Sequence, residues 1–539
     1  MAYTLNNPII PGYYPDPSIC RVGDDFYLAC SSFELWPGIP IFHSRDLAHW
    51  EQIANAVSAD NDFHMERTSG VGGVMAPTLR YNNGKFYIIN TNFADKGNYI
   101  ITAEDPRGPW SEMHWLDDVP GIDASIFFDD DGSAYIMGTG NVWDNGAGKM
   151  ERGIWLAPYD MENYKLAGEP VTIFNSALRV GASPEAPHIY HVGEYYYLII
   201  AEGGTEHFHA VMVARSKELF GFYEGCPANP VLTHRHMGWR SPIINIGHAD
   251  LVELPDGSWY AVMLGSRLID GAYKNLGRET FICPVTWERD WPLFSVETGK
   301  VEWSYPAPTT LALAEYPPEP SFDDFDDDKL AMYWTFWGTP GPDLYRIGGS
   351  AVSLKCVHQD LNDELEPMKM DRPLSYDKYV AFLARRQRQP DCTVTTKMRF
   401  APAEGEKAGL ALVQAMNHQL HIYLTRRDGR QELRVDISTA EYNHPPFIPG
   451  FEGKTTTRTV ACLPWDAPEI VLRLSMHNED WTVSCGATRE ELREIAKVDG
   501  AEINPEKVGC MVGTMLGMYA TGAGNDSDNR AEFDWFEMI

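Results

Sequence analysis

Three carboxylates, an imidazole and a guanidinium stand in short related motifs within the first 300 residues: Asp16 in PDPSICR, Asp123 in DASIFFD, Glu185 in EAPHIYH, His248 in HADLVEL and Arg278 in LGRETFICPVTW. Two carboxyl groups can share the hydrolysis of a glycosidic bond. One, protonated, donates to the leaving oxygen; the other, ionised, draws a proton from water. Asp16 is short and braced between two prolines, which suits a rigid base, while the longer Glu185 can reach a leaving group as the acid. A third acid, Asp123, would hold the pKa of Glu185 up by its charge and could bind a sugar hydroxyl. The carboxyl separation decides the stereochemistry, ~6.5–9.5 Å for inversion against ~5–5.5 Å for retention, and the chain does not encode it. Arg278 is a candidate fork that restrains Asp16 in its ionised form, the bland alternative being a loop salt bridge. His248 is either a neutral hydrogen-bonding group or a holder of a hydrated cation, with Asp250 two residues on but no second His or Cys at a zinc spacing. An Asp before Pro is also a common turn device, so these residues gain weight only from what positions them.

That positioning is a loose internal repeat. A turn ending in Gly feeds an aromatic strand at VGDDFYLACSS, NNGKFYIINTN, DDGSAYIMGTG, VGEYYYLIIAE and PDGSWYAVMLG, with tyrosines at 27, 87, 135, 196 and 260. Intervals of 60, 48, 61 and 64 residues suit four-stranded antiparallel blades, five in all. The strand before each turn would line the central axis, so its opening residues, Asp16, Met75, Asp123, Glu185 and His248, should converge at matched repeat positions. Phe33 and Trp36, in the connection SSFELWPGI, are candidate pocket walls whose faces suit the C–H surfaces of sugars; core packing is the alternative for each. His207 and His209 could line the mouth, but EHFH is too weak a motif for a metal.

The chain has 539 residues, and 44 Lys plus Arg against 76 Asp plus Glu give a net charge of −32. Such a surface repels phosphate backbones and anionic lipids, so neither nucleic acid nor a membrane is an expected partner. P-loop and GxGxxG motifs are absent. The amino terminus carries no secretory pattern, no apolar run reaches the ~18 residues of a membrane span, and a cytoplasmic location is expected. Nine scattered cysteines, mostly in strand-like runs, read as free buried thiols.

The Pro-rich stretch WSYPAPTTLALAEYPPEPS and the acidic run FDDFDDDKL place a boundary near residue 320. Residues 1–320 are expected to form the propeller. Residues 321–539 alternate strand-like pieces with polar turns, the layout of a β-sandwich, and the segment GTMLGMYATG is a candidate edge of the pocket through Met515, a core methionine being the alternative.

Taken together, PDPS, GIDAS, PEAPHIY, GHAD and GRET make the chain resemble glycoside hydrolase family 43, in particular its two-domain β-xylosidases and α-L-arabinofuranosidases, over nearly the full length. The resemblance implies an all-β protein, a five-bladed β-propeller followed by a concanavalin-like β-sandwich packed beside the active site. It also implies an inverting mechanism with Asp16 as base, Glu185 as acid and Asp123 as modulator, with Arg278 on the substrate and His248 beneath the pocket, where some members hold a calcium ion or water. Where familiar xylosidases carry Trp-Ala-Pro, this chain has Met75 in GGVMAPTLRY, which puts the choice between xylose and arabinose in doubt; Ala186 replaces a frequent Gly. The expected activity is exo-release of terminal β-D-xylose from short xylo-oligosaccharides. The alternatives are α-L-arabinofuranosidase or dual activity on arabinoxylan-derived oligosaccharides, and a non-enzymatic carbohydrate-binding propeller. No cofactor is required for the chemistry, a structural or pocket calcium ion is the one candidate ion, and the expected partners are short neutral oligosaccharides, with a homo-oligomer left open.

Overall fold

The computed structural model describes residues 3–61, 63–65, 72–92, 96–144, 150–175, 183–363, 379–415, 417–442, 453–508 and 511–539. Five antiparallel sheets follow one another through the first 294 residues. Their first strands are Ser18–Val22, Val74–Asn82, Ile122–Phe128, Glu185–Val192 and Ile243–Glu253, and each pairs with the aromatic strand that follows it in the repeat. This is the five-bladed propeller that the tyrosine spacing implies. Alternation of side chains between faces buries the Ile, Val, Leu and aromatic positions of neighbouring blades against one another. The ring closes between blades 5 and 1. There the Asn7 side chain donates to Ile282 O and accepts from its N–H, and Thr4–Asn6 pairs with Ser304–Pro306.

The inner strands share one irregularity. In blade 4, Glu185 pairs with Ala201 and His188 with Ile199, so three residues on the inner strand span two on its neighbour. The same count recurs from Met75 to Thr78, Ile122 to Ser125 and Gly247 to Asp250, and in blade 1 Ser31 N–H donates to Pro15 O while Ser18 faces Ala29. Within each bulge one residue is left-handed: Asp16 (φ 54°), Ala76 (30°), Asp123 (53°), Ala186 (51°) and His248 (54°). A side chain with φ > 0 costs free energy, and a bulge re-aims the residues around it. The expected register is therefore corrected by one residue. Asp16, Asp123 and His248 are equivalent to Ala76 and Ala186, whereas Met75 and Glu185 occupy the preceding position, shared with Pro15, Ile122 and Gly247. Every inner strand carries the same bulge, so the offset lies in which of its two adjacent positions bears the functional side chain.

Beyond residue 320 two eight-stranded antiparallel sheets face each other. Phe336, Leu383, Leu410, Ile422 and Met518 from one and Val394, Leu472, Val483 and Phe533 from the other form the apolar layer between them. The second sheet ends on a strand that the propeller supplies: Leu35–Trp36 of blade 1 pairs with Thr335–Trp337, and Trp337 Nε1 donates to Glu34 Oε2 at 2.6 Å. Eight of the nine cysteines are described; all are free and seven are buried, while Cys510 lies outside the described residues. Among the described residues no helix is long and apolar enough to cross a membrane.

Candidate active site

Asp16 lies at the bottom of the site, buried. Its Oδ1 accepts from Arg278 Nη1 at 2.9 Å and faces His248 Nδ1 at 3.6 Å, and its Oδ2 accepts from Ser31 Oγ at 2.6 Å. Burial pushes its pKa up, but the Arg278 cation, then His248 and the Ser31 hydroxyl, outweigh that effect and hold the carboxyl below its ordinary value. Ser31 in turn accepts from Ala76 N–H at 2.6 Å, so the base-like carboxylate is braced by two blades. Arg278, at the entry to the third strand of blade 5, also donates to Thr205 Oγ1 at 3.1 Å, and its guanidinium lies 5.4 Å from the Phe33 ring centre.

Asp123 and Glu185 behave oppositely. Asp123 is buried and accepts one backbone hydrogen bond, from Ala186 N–H at 3.2 Å. Burial first, then the charge of Glu185, push its pKa up to about 6; His248 pulls against them and Asp16 adds to them. Glu185 is half-buried; burial raises its pKa, opposed by Arg152 and reinforced by Asp16. Arg152 Nη1 donates to Glu185 Oε1 from the third strand of blade 3. One carboxyl held ionised opposite two that hold protons more tightly is an acid–base pair with a third acid beside it. This proton chemistry needs no cofactor.

One layer down the axis, residues two or four positions beyond the left-handed ones form a separate network. Ser18 Oγ donates to Asp250 Oδ2 at 2.6 Å, Arg80 spans both Asp250 oxygens at 2.8 and 3.0 Å, and Tyr190 donates its hydroxyl to Oδ1. His188, its pKa lowered to about 3 by burial, meets Arg80 Nη2 at 3.0 Å and Ser125 Oγ at 3.1 Å. Asp250 is thus committed to Arg80 and is no partner for a cation on His248. His248 Nδ1 instead faces an Asp16 oxygen already held by Arg278. Among the described residues the one three-ligand grouping is Asp129, Asp130 and His191, at the turn side of blades 3 and 4, where His191 Nδ1 lies 2.9 Å from Asp130.

The remaining sequence candidates separate. Phe33 stacks on Tyr13 at 5.8 Å and shares an apolar cluster with Met75, Trp337 and Met515. Trp36 is not a pocket wall: it is a strand residue of the shared sheet, 4% exposed, packed on Phe63 in the core between the domains. Met515 is likewise a core residue, 5% exposed in the strand Met515–Thr521 and in the apolar cluster of Phe33. Besides the shared strand, sandwich residues 511–514 reach the propeller next to Arg278, where Tyr13 OH donates to Met511 O at 2.6 Å and Thr514 N–H to Asn275 O at 3.0 Å. His209 is buried with Nδ1 2.8 Å from Asn245 O, its pKa lowered to about 3 by burial, and its ring fills the space a side chain on Gly247 would need. His207 sits half-buried beside Phe208. Sequence reasoning missed Ser31, Thr205 and Arg152; the SS after the first aromatic strand and the Thr in EGGTEHFHA were the only signals.

Comparison with known proteins agrees with this architecture. The family profile described as "Glycosyl hydrolases family 43" matches residues 5–292, and the "Beta xylosidase C-terminal Concanavalin A-like domain" matches 322–539. The chain is 37% identical to a "Xylosidase/arabinosidase" of Butyrivibrio fibrisolvens, covering 99% of both chains. It is 36% identical to a "Non-reducing end alpha-L-arabinofuranosidase" of Bacteroides ovatus, over 99% of this chain and 94% of that one. Among solved structures, a "xylan beta-1,4-xylosidase from Bacillus Halodurans C-125" superposes with a TM-score of 0.86 at 29% identity, covering 99% of each. The bulged carboxylates, the propeller that holds them and the sandwich that shares a strand with it are those of a glycoside hydrolase, and the chain belongs to family 43.

Proposed function

We propose that this enzyme removes single terminal sugars from the non-reducing ends of short xylan- and arabinoxylan-derived oligosaccharides, accepting both α-L-arabinofuranosyl and β-D-xylosyl residues, with inversion. The observation that carries the mechanism is the opposed proton affinity of the carboxyls. Asp16, clamped by Arg278 and Ser31, stays ionised and takes a proton from the attacking water; Glu185, in its desolvated position, delivers one to the leaving oxygen. Asp123, the third acid, keeps a second proton-binding group against Glu185 and fixes its strand through Ala186 N–H. Dual specificity, rather than xylose alone, is supported by the names of the relatives above and by Met75, whose flexible thioether adapts to either ring where an indole would impose one shape. Exo action is supported by the sandwich edge at 511–514, which leans on Tyr13 and on the loop before Arg278 and so walls one side of the site.

The test is a panel of 4-nitrophenyl β-D-xylopyranoside and α-L-arabinofuranoside on wild type and Asp16→Asn. The proposal expects turnover of both sugars within about one order of magnitude and a loss of at least ~10³-fold in Asp16→Asn, the scale of a missing catalytic group. Turnover of one sugar alone refutes the dual pocket, and an active Asp16→Asn refutes the base.

A further inference from the structure

Arg152 poses a chemical problem for an acid at Glu185. A guanidinium on a carboxylate favours its ionised form, yet the acid must carry a proton when the glycosidic bond is in place. The two arginines of the site differ in kind. The Arg278 side chain is 4% exposed and fixed across blades by Asp16 and Thr205, whereas that of Arg152 is 42% exposed, and Glu185 is the hydrogen-bonding partner recorded for it among the described residues. Arg152 is therefore free to swing on its long stem, and the Asp16–Arg278 pair is not. The leaving oxygen must also come within ~2.6–3.2 Å of the Glu185 carboxyl, so the sugar that carries it has to enter the space this guanidinium borders.

We propose that Arg152 is a residue of the leaving-group side that exchanges Glu185 for hydroxyls of the departing sugar; this rests on the reading of Glu185 as the acid. In the free enzyme Arg152 holds the carboxyl in place and opposes the rise that burial gives its pKa. With an oligosaccharide bound it hydrogen-bonds the leaving sugar, and Glu185, left facing Asp123 and Asp16, takes a proton from solvent. As the glycosidic C–O bond breaks, that proton passes to the leaving oxygen, the new C–O bond forms to water, and the water proton passes to Asp16, which returns it to solvent. Protons balance over the cycle.

Kinetics on a disaccharide and on the methyl glycoside of the same terminal sugar test this, since both need the acid but only the first has a leaving sugar. In Arg152→Met the ratio of kcat/KM for disaccharide over methyl glycoside should fall about tenfold, chiefly through KM, the scale of one charge-assisted hydrogen bond. The alkaline limb of kcat/KM against pH should move to higher pH for both substrates, and Arg152→Lys should restore much of the wild-type limb. A ratio within twofold of wild type with an unmoved limb overturns the proposal, as does an equal loss on both substrates, which is what a merely structural arginine gives. The underlying reading fails separately: if Glu185→Gln keeps full activity on the methyl glycoside, Glu185 is not the acid, whatever Arg152 does.

Discussion

Replacing Asp123 by Asn should make the protein more stable and less active at neutral pH. The carboxyl is buried, accepts a single hydrogen bond from Ala186 N–H, and faces the charges of Glu185 and Asp16, which together raise its pKa from 3.8 to about 6. Ionising it in the folded protein therefore costs about 3 kcal/mol more than in the unfolded chain, at about 1.4 kcal/mol per pKa unit. The sign follows from which state binds the proton more tightly. Below about pH 4 both states are protonated and no penalty exists; as pH rises towards 6 the unfolded chain ionises first and wild-type stability falls; above 6 the whole penalty is present. Asn keeps an acceptor for Ala186 N–H and carries no charge. Thermal melting of wild type and Asp123→Asn between pH 4 and 8 should give curves that coincide at the acid end and diverge by several degrees above pH 6, for a difference of up to about 3 kcal/mol. Activity should fall in the same variant, because the pKa of Glu185 then loses a neighbour that opposes its ionisation. A variant less stable than wild type at pH 7, or a difference that does not change with pH, refutes the reasoning.

Three further outcomes follow from the geometry. Asp16 ionises below the ordinary carboxylate range and Glu185 above it, so kcat/KM should be bell-shaped; Arg278→Met, measured in the same way, should move the acid limb to higher pH as Asp16 loses its cation. Trp337→Phe removes the indole donor to Glu34 and should cost roughly 1–3 kcal/mol in denaturant unfolding and raise KM, since Phe33 is the residue next to Glu34. An unchanged KM in that variant would show that the shared strand does not shape the pocket. Gly277→Ala places a methyl 2.5 Å from Val512 O at φ +78° and should displace the loop that carries Arg278, seen as lost activity with circular dichroism intact.

The fold was legible because blades announce themselves locally. A Gly-ended turn and an aromatic strand recur in each, and the boundary composition of prolines and acids precedes the first sandwich strand, Phe322–Asp323. The carboxylates were legible by type and approximate place in the repeat, but their register was not, because two adjacent positions of the bulge can carry a functional side chain and Glu185 stands on the one before the position Asp123 holds. Partners reached over long chain separations stayed hidden. Arg278 to Asp16 spans 262 residues and could be guessed from charge, whereas Thr205, Ser31 and Arg152 are ordinary residues until the blades converge. Trp36 shows the opposite failure. An aromatic in a connection looks like a pocket wall, yet edge-strand pairing with Phe336 took it into the core between the domains.

The central claim is that Asp16 activates water on the face opposite the leaving group protonated by Glu185. Proton NMR of the first sugar released from a β-xyloside or an α-arabinofuranoside tests it directly: the opposite anomer must appear first and then mutarotate, and initial release of the substrate's own anomer contradicts the account.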